Sequence, residues 1–463
     1  MLLPITSEIN NEGKIVIGGV DLAELKARFG TPLYIVDIAT VKKQCRDYMN
    51  FFKFPDLQCE IIYASKAFCT LPMCQLARSE GLSMDVSTGG ELYIALKSGF
   101  SADKIFFHGN NKSESEMKFG LENKVNIYIV DNFTELDKLD EFCGRKGIKQ
   151  KIMLRIAPGI KAHTHKYIQT GGVDSKFGFG IYGGIAVQAV KRTLEKKNLE
   201  LIGLHAHIGS QIFNIEVYEK LIDVMLGFMG NLNKDFGTSL ARLNIGGGLG
   251  IKYTVQDGPA TIEDLSRTVY QSVKKYSRKY GVKLEKIYLE PGRSIVGNAG
   301  VTLYEVGNIK EIPEIKNFIS IDGGMSDNIR PMLYQAKYNA FIAGRASYIG
   351  KVENGDITSN AGTIFSENDP DVPDKKKYTI VGKHCESGDV IIEDIVMPVV
   401  KAGDLLLVTS TGAYCYSMSS NYNSQPRSAV VAVEDGKSWL WVQRQSYEDL
   451  IIKDRKLYEC AIN

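Results

Sequence analysis

The sequence predicts an α/β fold, a TIM-type (β/α)8 barrel with a second, mainly β domain. Two observations lead there. Between Glu60 and Arg293, eight short strand-like runs alternate with longer amphipathic stretches. After Arg293 the texture changes to short apolar runs separated by Gly, Asp and Asn turns. A length of 463 residues also exceeds one ordinary domain.

The eight runs are EIIYAS ending at Ser65, MDVS at Ser87, KIFFH at His108, IYIV at Val130, KIMLR at Arg155, LIGLH at His205, RLNI at Ile245 and KIYLE at Glu290. Helical patterns such as GELYIALKSGF and SEMKFGLEN lie between them. Strands alternating with helices imply parallel βαβ units, and eight such units imply a closed barrel, with an open doubly wound sheet as the rival. The later runs FISI, YTIV, DVIIEDIV, DLLLV, AVVAV and WLWVQ make the β domain. LYIV, at Leu33 to Val36, falls outside the eight and is free to join it. The expected boundaries are 1–36 for an N-terminal segment of the β domain, 37–300 for the barrel and 301–463 for the rest. The polar stretch from Lys351 to Lys377 reads as a long surface loop without chemistry of its own.

Composition excludes several classes. The 44% hydrophobic content supplies a large core, and 56 Lys and Arg against 54 Asp and Glu leave no basic footprint for nucleic acid or anionic membranes. The start MLLPITSEIN lacks the basic n-region of a signal peptide, and no apolar run approaches the roughly 18 residues of a membrane span. Eight scattered cysteines without paired metal spacing read as free thiols in a reducing cytoplasm.

Barrel enzymes place their chemistry at the C-terminal ends of the strands. Lys66 follows the first run, and Asp85 lies in the second. His205 and His207 close LIGLHAH; Gly246, Gly247 and Gly248 follow LNI; Glu290 precedes Pro291, Gly292 and Arg293. Each has an ordinary reading: a surface lysine, a packed histidine, a tight turn, a Glu290–Arg293 salt bridge. Together they supply an amine, an imidazole, a glycine-rich turn and a carboxylate–guanidinium pair on one rim, the set a pyridoxal-phosphate site requires.

The blocks FGTPLYIVD, YASKA, DVSTGGELYIAL, FHGNNKS, HTHKYIQTGGVDSKFG, GLHAHIGSQI, LNIGGGLG, LEPGRSIVG, DGGMSDNIRPMLY, CESGD and GAYCYSMSSNYN occur in the order found in diaminopimelate decarboxylases, which the chain resembles over nearly its whole length. That family shares its fold with ornithine decarboxylases and alanine-racemase-like enzymes. The resemblance implies pyridoxal 5'-phosphate as cofactor and decarboxylation of meso-diaminopimelate to L-lysine. It implies that Lys66 is the Schiff-base lysine, that His207 stacks on the cofactor ring and that Ser210 and Gly246 to Gly248 hold the phosphate. Asp85, Pro291 and Gly292 fall in the same cofactor-binding set. Glu290 would pair with the pyridine nitrogen, and Arg293 and Tyr414 would touch both cofactor and substrate. Arg330 and Tyr334 would bind the substrate carboxylate. Cys385 would donate the proton, and Glu386 would meet the far ammonium, both in the site of a second subunit, so a homodimer is implied.

An Arg-plus-Glu pair suits a distal end that carries both carboxylate and ammonium. Ornithine-type enzymes bind an end without a carboxylate, and carboxynorspermidine decarboxylase is the nearest rival. The family usually has proline where Lys383 or His384 stands here, which leaves substrate choice more open than cofactor. His163 and His165 lack a third ligand at metal-like spacing, so no metal is expected. A non-catalytic regulatory relative would have lost the lysine, the cysteine or the phosphate loop, and this chain keeps all three.

Overall fold

The computed structural model describes residues 1–160, 172, 175–357 and 374–457. The chain forms two compact units. One comprises Val41–Ile251 and Gly258–Val296; the other comprises Met1–Thr40, Lys252–Asp257 and Gly297–Asn463.

The first unit is a closed ring of eight parallel strands. They are β1 (Gln58–Ala64), β2 (Ser83–Val86), β3 (Ile105–Phe107), β4 (Ile127–Val130), β5 (Gln150–Ala157), β6 (Leu199–His205), β7 (Arg242–Asn244) and β8 (Lys286–Leu289). Neighbours pair in chain order, and β8 returns to β1 through Leu289 opposite Ile61. All eight anticipated runs are therefore strands, and the open-sheet alternative is excluded. Ile62, Phe106, Ile127, Ile129, Met153 and Tyr288 fill the interior as one buried cluster. β-branched and aromatic residues suit that packed lumen.

The helices between strands begin at caps the sequence encodes. Ser113 and Glu116 form a capping box at Glu114–Glu122, as Thr261 and Asp264 do at Ile262–Tyr280. Glycines in the left-handed region stop the helices Phe133–Lys146, Glu216–Phe236 and Ile262–Tyr280. Each stop returns the chain to the next strand, so the carboxyl ends of all eight strands share one rim.

The second unit is a mixed sheet. Its strands run in the order Val390–Pro398, Lys375–Val381, Lys316–Ile321, Gly300–Ile312, Leu33–Asp37, Ala429–Glu434 and Lys437–Val442, with Leu405–Val408 bridging Gly300–Ile312 to Ala340–Ile342. Leu33–Asp37 sits inside this sheet, antiparallel to Gly300–Ile312 and parallel to Ala429–Glu434. Its residues are all buried, as an internal strand covered on both faces requires.

The expected loop from Lys351 to Lys377 needs correction at both ends. Val352–Glu353 and Asp356–Ile357 pair as a hairpin, and Lys375 to Lys377 open the strand Lys375–Val381. Asn354 and Gly355 both have positive φ, the signature of a two-residue turn that an Asn-Gly pair specifies. Asp356 then takes ion pairs from the Met1 amine at 3.1 Å and Lys252 at 3.0 Å. The polar composition concealed a turn signal that was present. The centre of the segment lies outside the described residues. No helix among the described residues is long and apolar enough to cross a membrane.

Candidate active site

On the barrel rim, Lys66 stands in a single turn, Ser65–Ala67, directly after β1, and is exposed between buried neighbours. The Ser65 amide donates to Asp85 Oδ1 at 3.2 Å, so the buried Asp85 on β2 fixes the turn that carries the lysine. Burial and the nearby Glu290 charge push the Asp85 carboxyl well above its ordinary value, with Lys66 opposing them.

Glu290 follows β8 and is the centre of a buried polar cluster. Asn244 Nδ2 donates to its Oε1 at 2.7 Å, and His205 Nε2 lies 3.1 Å from Oε2. His108 Nε2 lies 2.9 Å from Oε1, and its ring meets that of His205 edge-on at 5.0 Å. The salt bridge to Arg293, the simple alternative for Glu290, is not formed among the described residues: Arg293 Nη2 donates to Ser210 Oγ at 2.9 Å instead. Burial holds the His205 imidazole down at about 4, so at neutral pH it is an uncharged Nε2–H donor to the carboxylate. Burial alone would raise Glu290; His108 and His205 outweigh it and keep its carboxyl well below the usual range. His207, half-buried, is also kept uncharged, by burial first and then by the Lys66 and Arg155 charges.

One measurable consequence follows from His205. The unfolded chain protonates a histidine near pH 6.5, whereas the folded site resists protonation down to about 4. Its contribution to stability is complete above the unfolded value and is lost as pH falls through that window. Urea unfolding of cofactor-free protein at pH 7 and pH 5 should show a pH-dependent loss about 2 kcal/mol larger in the wild type than in His205→Gln. Equal losses in the two proteins would mean that His205 does not resist protonation.

The glycine turn after β7 is shaped by backbone crowding. A Cβ on Gly247 would lie 2.1 Å from the Glu290 carbonyl oxygen, and Gly246 and Gly248 have φ of +68° and +117°. Gly292 is similarly confined, its Cβ position lying 2.9 Å from the Ala64 carbonyl oxygen. The Gly246 amide is committed to Asn244 Oδ1 at 2.9 Å. The amides of Gly247 and Gly248 donate to no described residue. Two free amides beside the buried Arg293 and the Ser210 hydroxyl form an anion cradle. Pro291 closes the loop by accepting the Ala64 amide at 3.0 Å. Lysine, ionised acid and anion cradle on one rim fit pyridoxal phosphate. The ligand atoms of His108, His205 and Glu290 also lie within 4.8 Å of one another, close enough for a metal, but both Glu290 oxygens already have protein partners.

The second unit carries its own cluster. Arg330 opens the short helix Arg330–Tyr334 and is buried. Its guanidinium carbon lies 5.0 Å from the Tyr253 ring centroid, 5.8 Å from Tyr338 and 6.0 Å from each of Tyr334 and Tyr414. No carboxylate pairs with it among the described residues. Tyr414 lies in the turn after Leu405–Val408 with φ of +69°, an uncommon conformation for a bulky residue.

Cys385 and Glu386 occupy the turn between Lys375–Val381 and Val390–Pro398. Cys385 is exposed, with its amide donating to Asn423 Oδ1 at 3.1 Å, and Glu386 is half-buried. Asp389 pins this turn by accepting the His384 amide at 2.9 Å and the Met325 amide at 2.6 Å. The non-proline His384 contributes a further tie, its Nε2 lying 2.7 Å from Ser326 Oγ. His163, His165 and most of HTHKYIQTGG lie outside the described residues.

His108 and Asn244 were absent from the candidates drawn from sequence, although both sit at or just past a strand end, where the barrel rule points. Tyr253 and Tyr338 had no such signal, because neither lies in a recognisable pattern.

Residues 38–297 match the family model described as pyridoxal-dependent decarboxylase, pyridoxal binding domain. The chain is 43% identical to a diaminopimelate decarboxylase of Bacillus subtilis, over 98% of each chain. It is 42% identical to that of Staphylococcus aureus, over 98% of this chain and all of that one. The crystal structure of the M. jannaschii diaminopimelate decarboxylase in co-complex with L-lysine superposes with a TM-score of 0.87 at 34% identity, over 98% of this chain and 99% of that one. The chain belongs to the diaminopimelate decarboxylase family of pyridoxal-dependent decarboxylases.

Proposed function

We propose that this chain converts meso-2,6-diaminopimelate to L-lysine and carbon dioxide, the last step of lysine synthesis, with pyridoxal phosphate as cofactor. The observation that carries the substrate choice is Arg330: a buried guanidinium among tyrosines, with no carboxylate partner among the described residues, calls for an anionic ligand. An amine with a carboxylate at its far end supplies one; ornithine does not.

When bound, pyridoxal phosphate takes up the electron pair released as the carbon–carboxylate bond breaks. Lys66 would anchor it covalently, and Arg293, Ser210 and the amides of Gly247 and Gly248 would hold the phosphate. Ionised Glu290 would accept the ring N–H, keeping the positive charge that makes the ring an electron acceptor. Uncharged His207 would lie against the ring face without repelling that charge. Arg330 and Tyr334 would grip the distal carboxylate, Glu386 the distal ammonium, and Tyr414 and Arg293 would contact cofactor and substrate. Cys385 would pass its thiol proton to the carbon that lost its carboxylate, and its exposure lets solvent restore that proton.

The working unit in this reading is a homodimer in which Cys385 and Glu386 serve the partner subunit's site. The exposure of Cys385 on the single chain supports this. The described cysteines are all free thiols, which supports a cytoplasmic location.

The test is product analysis of purified protein with pyridoxal phosphate and meso-diaminopimelate, beside ornithine and carboxynorspermidine. L-lysine and carbon dioxide from diaminopimelate alone is the expected result. Turnover of another amine alone would overturn the substrate assignment.

A further inference from the structure

We propose that Tyr253 and Tyr338 are positioning residues that hold the Arg330 guanidinium by one nitrogen, so that its opposite edge is presented as a ready-made fork for the distal carboxylate. The inference rests on the assignment of Arg330 to that carboxylate and explains how the arginine is made selective.

An arginine offers five N–H donors, two on each Nη and one on Nε. In this chain Nη1 donates to the Tyr253 hydroxyl at 3.0 Å and also to the Tyr338 hydroxyl. Both Nη1 hydrogens are thereby used. Nε and Nη2 form no side-chain hydrogen bond and no ion pair among the described residues. Nε–H and the adjacent Nη2–H are parallel and match the spacing of two carboxylate oxygens, the bidentate geometry that gives arginine its strongest ion pairs.

The two phenols are themselves fixed. Tyr338 is 3% exposed and Tyr253 is 6% exposed, and their rings meet edge-on at 5.3 Å. The Tyr338 hydroxyl lies 3.6 Å from Cys415 Sγ, and that thiol donates to Asn328 Oδ1 at 3.5 Å. The order Arg330, Tyr338, Cys415, Asn328 gives every donor an acceptor in one direction. A long, flexible side chain is thus anchored before the ligand arrives, and less rotamer freedom is lost on binding. The Tyr338 phenol is neutral, burial holding it well above its ordinary value, so it fixes the guanidinium without neutralising it. A carboxylate in its place would fix the guanidinium equally well and cancel the attraction for substrate.

The test compares holoenzyme affinities for L-lysine, which keeps the distal carboxylate, and for cadaverine, the same carbon chain without it. Tyr338→Phe should weaken L-lysine about tenfold and leave cadaverine unchanged, and Tyr253→Phe should do the same to a smaller degree. Unchanged L-lysine affinity in both variants, or equal loss for both ligands, would overturn the proposal. Arg330→Gln separates the two levels. If it fails to weaken L-lysine, the carboxylate assignment falls and the positioning role falls with it. If it weakens L-lysine while both Phe variants bind normally, only the positioning role is wrong.

Discussion

An equimolar mixture of Lys66→Ala and Cys385→Ala, each inactive alone, should regain about one quarter of wild-type activity after subunit exchange. Lys66 belongs to the barrel unit, and Cys385 lies on an exposed turn of the β unit. Without the amine, the cofactor has no covalent anchor; without the thiol, protonation of carbon slows by about 100-fold or more. If Cys385 serves the partner subunit's site, each mixed dimer contains one site with both groups and one with neither. Random exchange makes about half of the dimers mixed, which gives the quarter. If each chain instead completed its own site, the mixture would remain inactive, and activity in Cys385→Ala alone would remove the thiol from the mechanism.

The second large effect concerns Glu290. Glu290→Ala leaves the Asn244 amide and the His205 imidazole buried without their shared acceptor, beside His108. Leaving a buried donor without its acceptor costs about 1–3 kcal/mol per group, and the cofactor-free variant should melt below the wild type. Glu290→Gln keeps the volume and one acceptor oxygen but loses the charge. It should fold, load cofactor and turn over about 100-fold or more slowly, because the ring nitrogen no longer faces an anion. Measured together, melting temperature and turnover separate the two functions of this carboxylate. A Gln variant with normal turnover would show that the negative charge is dispensable.

The barrel was legible because its strands are buried on both faces and so read as uninterrupted β-branched and aromatic runs, from IYIV at Ile127 to KIYL at Lys286. The rim residues were legible for a positional reason: Lys66, His205 and Glu290 each fall at or just past the end of such a run. What sequence could not supply was partnership. Glu290 and Arg293 are three residues apart and look like natural partners, yet the turn at Pro291 and Gly292 sends Arg293 to Ser210 and leaves Glu290 to residues from three other strand ends. Gly246 shows the same limit on a smaller scale, since its amide is taken by Asn244 at the end of β7, two residues before it. The phenols on Arg330 come from Tyr253 and Tyr338, 77 and 8 residues away, and no local pattern encodes that convergence. The Asn-Gly hairpin at Asn354 was encoded locally and was hidden only by its polar surroundings.

The strand Leu33–Asp37 has a consequence for how the chain is made. Its hydrogen-bonding partner Ala429–Glu434 is translated roughly 400 residues later, which at ribosomal speeds of about 5–20 residues per second is a delay of tens of seconds. When the barrel sequence ends at Val296 this apolar segment near the start of the polypeptide still lacks both neighbours, and it gains Gly300–Ile312 next but stays open on its other edge until Ala429–Glu434 is made. A nascent chain arrested before Gly300 should therefore expose this segment to proteases and chaperones, and protection should arrive only after the final strands leave the ribosome.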